Sequence, residues 1–350
     1  MNEKGNKRMT IVLLMSLVMM AVLIVLNLTL GSVHIPLSEI INVLFSNNSR
    51  DVVFGNIVLK TRLPQTIVSL SAGMALGVAG LLMQTLFRNP LAGPSVLGIS
   101  SGASLGVAFV MLFSGQVMGF SFFSLGVWGD FAVVLSSLMG AGLVLLLILF
   151  ISHRIGGTLS VLIIGVMIGY LSSSLVGLLK FYSTEEDVHN YVIWGLGSFS
   201  RMSASRAWIF GIVTVSLSLL SVSLSKSLNL LALGDRYAIN LGLRIKRARF
   251  LIIFSAGFLT ALVTSFCGPI IFIGMAVPHL AKLLSRTANH LSLIVNAALL
   301  GSVTALLCNL VARLPGLEQE LPVNSVTAFV GAPVVIWVIW NRKKGRMEEG

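Results

Sequence analysis

Long uncharged apolar runs recur along this chain, separated by short polar segments. A helix needs about 20 apolar residues to cross a bilayer. Ten runs approach that length: 11–30, 63–87, 91–113, 131–151, 158–179, 207–225, 250–266, 269–284, 291–312 and 322–340. Each is read as a transmembrane helix. No charge interrupts 89–129 or 250–281, so Gly93-Pro94 and Gly268-Pro269 mark the breaks there. The first break follows an inward run and the second an outward one, as in an inverted repeat with broken helices in corresponding positions. The first run follows Lys4, Lys7 and Arg8, as in a signal peptide. It lacks a small-residue cleavage site, so it is read as a retained span.

Two polar segments carry patterns of their own. Residues 35–45, after Pro36 near the start, have apolar positions at helical spacing and predict a short amphipathic helix. Residues 183–200 carry Glu185, Glu186 and Asp187, then Tyr191, Trp194 and Phe199. They predict an interfacial helix with an aromatic anchor.

Composition agrees with the pattern. Charged residues are 10 % of 350, hydrophobic ones 56 %, and the mean hydropathy is +0.96. Soluble domains carry roughly a quarter charged residues. The net charge of +12 raises nucleic acid as a partner, but the basic residues are scattered between apolar runs. No folded basic face follows from that, and nucleic acid is excluded. With the N-terminus inside, 17 of the 24 Lys and Arg fall in inner segments, while eight acids, among them Asp130, Glu185 and Glu320, fall outside. This is the positive-inside pattern, and it places both termini in the cytoplasm.

The most basic interruption is 226–249, with Lys226, Arg236, Arg244, Lys246, Arg247 and Arg249 against one acid, Asp235. Its apolar residues, including Leu231, Leu233, Tyr237 and Leu241, and its glycines Gly234 and Gly242 predict short amphipathic helices broken at glycine. Two readings stand at this point: a solvated loop held inside by its charge, or a docking platform for a cytoplasmic partner.

Small residues recur at helical spacing: Gly73, Gly77 and Gly80; Gly98, Gly102 and Gly106; Gly165 and Gly169. Such stripes let helices approach closely in lipid, and packing is reading enough. Cys267 and Cys308 lie in apolar runs without metal or redox spacing. No GxxxxGK[ST] occurs, so the chain does not cradle nucleotide phosphates itself, and no HExxH occurs either. The spans are almost free of ionisable residues, which leaves little for a proton relay. Translocation driven by a partner chain fits better than an ion-coupled secondary transporter, the alternative from another class. No enzymatic activity and no cofactor are expected.

Arg62-Leu63-Pro64 with residues 73–103 resembles the signature of the FecCD-type iron-siderophore and cobalamin ABC importer permeases. Residues 228–243 resemble their cytoplasmic coupling segment. Residues 272–279, Leu321-Pro322 and Gly331-Ala332-Pro333 resemble their last third. The resemblance implies an all-α, type II ABC importer permease of about ten spans with an inverted repeat. It forms one domain over 1–350, with the coupling segment at 226–249. It implies a homodimer or a pair with a related permease, two cytoplasmic ATP-binding subunits and an extracytoplasmic substrate-binding protein. The location implied is the bacterial cell membrane, and the cargo a metal chelate, a ferric siderophore first among siderophore, haem and cobalamin. ATPase coupling maps onto Leu231, Ala232, Leu233, Gly234, Asp235, Leu241 and Gly242. Docking of the binding protein maps onto Arg62 and Arg313, expected at outer helix ends and exposed without a partner. Many family members read Arg-Leu-Pro-Arg where this chain has Gln65, and Lys60 is the nearest substitute. The cytoplasmic gate maps onto Gly156, Gly157 and Thr158, where a tight turn needing glycine is the other reading.

Overall fold

The ten apolar runs reappear as helices in the computed structural model, which describes residues 3–31, 33–46, 52–113, 127–155, 157–314 and 320–347. Among the described residues the order is α1 (Glu3–Thr29), α2 (Leu37–Ile41), α3 (Val52–Ile57), α4 (Leu63–Phe87), α5 (Ile99–Ala108), α6 (Val127–Arg154), α7 (Thr158–Tyr182) and α8 (Glu185–Gly195). Then come α9 (Ala204–Leu220), α10 (Ser225–Leu233), α11 (Asp235–Asn240), α12 (Ile245–Cys267), α13 (Phe272–Ser285), α14 (His290–Ala312) and α15 (Val323–Met347). Among the described residues seven helices are long and apolar enough to span a membrane, and shorter apolar helices at Ile99–Phe113, Phe272–Ser285 and Val323–Trp337 account for the other three runs. The chain is an all-α polytopic membrane protein.

Contacts divide it into two units: Met1–Leu81 with Phe199–Ser225 and Ile271–Gly350, and Leu82–Ser198 with Lys226–Ile270. In the first unit α14 is central, packed by α1, α13 and α15. Leu23 of α1 meets Val303 and Leu306 of α14. Beside them Asn27 donates to the Leu306 carbonyl at 3.1 Å, and Asn309 donates to Asn27 Oδ1 at 2.8 Å. Two apolar helices in lipid gain little hydrophobic drive to associate, and such polar contacts contribute about 1 kcal/mol each. α4 approaches α14 backbone to backbone: a Cβ on Gly73 would lie 2.2 Å from the Gly301 carbonyl oxygen.

In the second unit α5 is central, packed by α6, α7 and α12. A Cβ on Gly102 would lie 2.7 Å from the Gly140 carbonyl oxygen, so α5 and α6 also meet through small residues. Ser100 and Thr264 share a hydrogen bond of 3.2 Å between α5 and α12. In each unit the short helix that follows a Gly-Pro break, α5 or α13, is extensively buried.

Three expectations change. The third run is not one span: a 3-10 turn over Pro94–Leu97 and left-handed Gly98 interrupt it before α5. Pro94 has no N–H to give, and Gly98 at φ +74 redirects the chain. The polar-looking segment before the second run is helical too, because α3 and a π-helical turn at Val58–Arg62 lead directly into α4. The helix after Ser183 forms, capped by Thr184, whose hydroxyl accepts from the Asp187 N–H at 3.3 Å. However, Tyr191, Trp194 and Phe199 are buried and do not serve as an interfacial anchor. Tyr191 and Trp194 pack with Val107, Leu112 and Val133.

The glycine contacts make a testable contrast. Gly73→Ala should lower stability by about 1–3 kcal/mol, since neither backbone can yield. Gly142→Ala, with nothing within 4 Å of the new Cβ, should be neutral or slightly stabilising. Thermal unfolding in detergent of the two variants beside the parent checks this.

Candidate docking surfaces

α9 does not end where the sixth apolar run does. A 3-10 turn at Ser221–Leu224 carries it into α10, which ends at Gly234. Gly234 has φ +117 and ψ 148, a backbone conformation closed to residues with a Cβ. Here the predicted break between two short helices occurs. α11 follows and closes at Gly242: its N–H donates to the Ile239 carbonyl at 2.8 Å, and Leu243 N–H donates to the Ala238 carbonyl at 2.9 Å. With Gly242 at φ +83 this is a Schellman cap.

The segment has two faces. Leu228, Leu231 and Ala238 are buried and fix it to its own unit. Leu233, Tyr237, Ile239 and Leu241 are 59–67 % exposed, an unusual concentration of large apolar side chains in so polar a stretch. Ala232 and Gly242 are exposed with them, beside exposed Arg236, Arg244, Lys246 and Arg247. Of the predicted coupling residues, Leu231 is thus a foot in the core, and the others lie at the surface or half-buried.

Asp235 does not cap α11 with its side chain. Its Oδ1 accepts from Arg88 Nη2 at 3.0 Å and its Oδ2 from Arg249 Nη2 at 2.6 Å. Arg88 Nη2 also donates to the Leu231 carbonyl at 2.8 Å. Sequence reasoning missed both partners. Arg88 lies 147 positions from Asp235, and no local pattern signals the pair.

The outer arginines are differently placed from expectation. Arg62 is only 2 % exposed. Its Nη1 donates to the Leu28 and Thr29 carbonyls at 2.7 and 2.8 Å, and its Nη2 to the Val33 carbonyl. A guanidinium at the C-terminal end of α1 satisfies carbonyls that have no partner within the helix. Arg62 is therefore a strut inside its unit and not an exposed charge. Arg313 follows α14. A Cβ on Gly31 would meet Arg62 Nη2 at 3.0 Å and Arg313 Nη2 at 3.1 Å, so both guanidinium groups lie against the same loop residue. Burial pushes the Arg313 pKa below the ordinary arginine value, and Glu320, at 3.9 Å, pulls it back up. Gln65 also reaches Glu320, donating at 3.3 Å. Gln65, where the family pattern has arginine, thus joins the corner through an acid of this chain.

Two of the predicted gate residues are described, between α6 and α7. Gly157 caps α7 through its carbonyl, which accepts from Val161 N–H at 3.3 Å, and Thr158 begins the helix. Gly156 lies outside the described residues.

Among the described residues no three His, Cys, Asp or Glu side chains cluster as a metal site requires. Gly98-Ile99-Ser100-Ser101-Gly102 spells the GxSxG string of serine hydrolases, but it opens a helix after a 3-10 turn and not after a strand. Its Ser100 pairs with the hydroxyl of Thr264.

The fold is that of a polytopic helical membrane protein with large apolar side chains exposed around a glycine break. Comparison with known proteins makes the class definite. The model of the FecCD transport family matches residues 19–341. The vitamin B12 import system permease protein BtuC of Salmonella typhi is 35 % identical over 283 residues, 81 % of this chain and 83 % of that protein. The protein of the same name from Citrobacter koseri is 34 % identical over 288 residues, covering 82 % and 84 %. A solved structure described as an inward-facing conformation of a putative metal-chelate type ABC transporter superposes with a TM-score of 0.81. It is 29 % identical and covers 94 % of this chain and 98 % of its own. The chain belongs to the FecCD transport family and is the permease of an ABC importer.

The strut role of Arg62 predicts a stability effect. Arg62→Met removes hydrogen bonds from three carbonyls, of which Thr29 keeps the Ile35 N–H, and should lower stability by about 1–3 kcal/mol. Arg313→Gln, which loses a long ion pair to a half-exposed acid, should cost at most about 1 kcal/mol. Unfolding midpoints in detergent separate the two.

Proposed function

We propose that this permease moves a metal chelate inward across a bacterial cell membrane, with both termini in the cytoplasm, and that the chelate is a ferric siderophore. Its work is driven by two ATP-binding subunits that dock on 226–249, while a substrate-binding protein delivers cargo from outside and a second permease copy completes the pathway. Relatives named for vitamin B12 import and a neighbour described as of metal-chelate type support a bulky metal complex as cargo. Cobalamin is the competing chelate, separated by uptake of each labelled complex through the same permease.

One observation carries the docking reading: Leu233, Tyr237, Ile239 and Leu241 stand exposed around the Gly234 break, with basic residues beside them. A solvated loop has no use for four large apolar side chains in water, whereas a protein partner buries such side chains at the centre of its interface. A segment broken at glycine between two short helices can also be pushed as a unit. The gate assignment to Gly156, Gly157 and Thr158 belongs to the same proposal. So does docking of the binding protein at the outer corner, with Arg313 supplying the charge and Arg62 holding the corner in shape.

Three results are expected. Leu233→Asp with Tyr237→Asp should weaken association with the ATP-binding subunits at least tenfold, measured by co-purification and titration, while leaving the unfolding midpoint nearly unchanged. Uptake should stop when the ATP-binding subunits are inactivated and survive a protonophore with ATP maintained; the opposite pattern would favour an ion-coupled carrier. Separately, Arg313→Glu should weaken affinity for the binding protein at least tenfold in a calorimetric titration, and unchanged affinity would remove that residue from the docking site.

A further inference from the structure

Arg88 occupies a backbone conformation that its side chain does not favour. At φ +48 it sits in the left-handed region, which glycine takes freely and an L residue takes at a cost. It ends α4, where glycine is the usual choice. The contacts of the Arg88 side chain give that cost a use.

The contacts indicate what for. A single nitrogen, Arg88 Nη2, touches both sides of the Gly234 break: the Leu231 carbonyl in the last turn of α10, and the carboxylate of Asp235, the first residue of α11. Both are electrostatically favourable for a cation, since the carbonyl end of a helix carries partial negative charge and the carboxylate a full one. The other carboxylate oxygen is held by Arg249 of α12, a side chain only 12 % exposed. The glycine break is therefore bracketed. Its two arms are tied by one guanidinium at the end of α4, and the second arm is tied again to α12. One exposed ion pair holds geometry weakly, but a carboxylate shared by two arginines, one of them largely buried, forms a network.

We propose that Arg88 is a positioning residue that fixes the angle of the Gly234 break, so that displacement of α10 and α11 is transmitted to α4 and α12. The inference rests on the reading of 226–249 as the docking segment for the ATP-binding subunits. Arg88 itself is not part of the exposed apolar face and acts through Leu231 and Asp235. Without the bracket, Gly234 becomes a free swivel. The partner still docks and still hydrolyses ATP, but its motion is lost in the hinge.

The test uses the complete transporter with its ATP-binding subunits, reconstituted in proteoliposomes and supplied with the loaded binding protein. Arg88→Gly relieves the backbone conformation and removes the bracket together. Its unfolding midpoint should equal or exceed the parent's, its ATP-binding subunits should associate with parental affinity, and cargo moved per ATP hydrolysed should fall at least fivefold. Asp235→Asn, which keeps the backbone as it is, should lower the same ratio, and the double variant should fall no further than the lower single one. A parental ratio in Arg88→Gly, or additive losses in the double variant, would overturn the proposal. So would weakened association of the ATP-binding subunits with Arg88→Gly, because the arginine would then belong to the interface itself. If instead Leu233→Asp with Tyr237→Asp leaves association intact, the docking reading fails first, and this outcome is distinguishable from a failed bracket.

Discussion

Close backbone approach between helices is the constraint on which this structure depends. In hydrocarbon, one apolar side chain against another gains little over the same side chain against lipid. Helices hold together where small residues let their backbones meet, so that many weak contacts form at once. Gly73 against Gly301, and Gly102 against Gly140, are such places, one in each unit. Asn27 and Asn309, polar side chains within two spans, are bonded to each other, and Asn27 also to a facing carbonyl. What is left for function lies at the helix ends.

The ends are where charge is used, in two different ways. Arg62 is spent on structure: it satisfies the carbonyls at the end of α1 and of the loop behind it, and nearly all of it is buried. Arg313, against the same loop, faces an acid and not a set of carbonyls. Equal formal charges at one corner, both largely buried, thus have different partners, backbone carbonyls for one and a carboxylate for the other. An aspartate can be diverted in the same way. Asp235 stands at the N-terminus of α11, where a capping role is the simplest expectation, yet two arginines take its carboxylate.

Much of the fold was legible because lipid imposes a strong, local rule. A run of apolar residues must be a helix, and a Gly-Pro pair within it must interrupt that helix. The ten runs, the breaks at Pro94 and Gly268, the short helix after Pro36 and the glycine faces all follow from this. The helix at Val52–Ile57 did not, because it is too short and mixed in composition to display a period. Tyr191 and Trp194 were assigned to an interface from their residue type, which cannot tell an aromatic at the headgroups from one packed on α5 and α6. In residues 226–249 the glycine break was visible, because glycine there answers a backbone demand. Its side-chain partners were not, because pairings across 147 positions leave no trace in one sequence.

On the proposed docking role, residues 226–249 must be both accessible and stiff, and these demands conflict. Accessibility puts Leu233, Tyr237, Ile239 and Leu241 in water, so the segment cannot be held by burying them. Stiffness has to come from the opposite face and from contacts that tolerate solvent. Leu228, Leu231 and Ala238 supply the first, as apolar feet in the core of their unit. The carboxylate shared by Arg88 and Arg249 supplies the second, beside the one residue, Gly234, whose backbone freedom would otherwise let the two short helices move independently. Placing the only acid of a strongly basic segment next to its glycine break meets both demands with a single side chain. The same placement explains why the acid is not used as a helix cap: a cap would stabilise α11 alone, whereas a shared carboxylate binds α11 to two other helices.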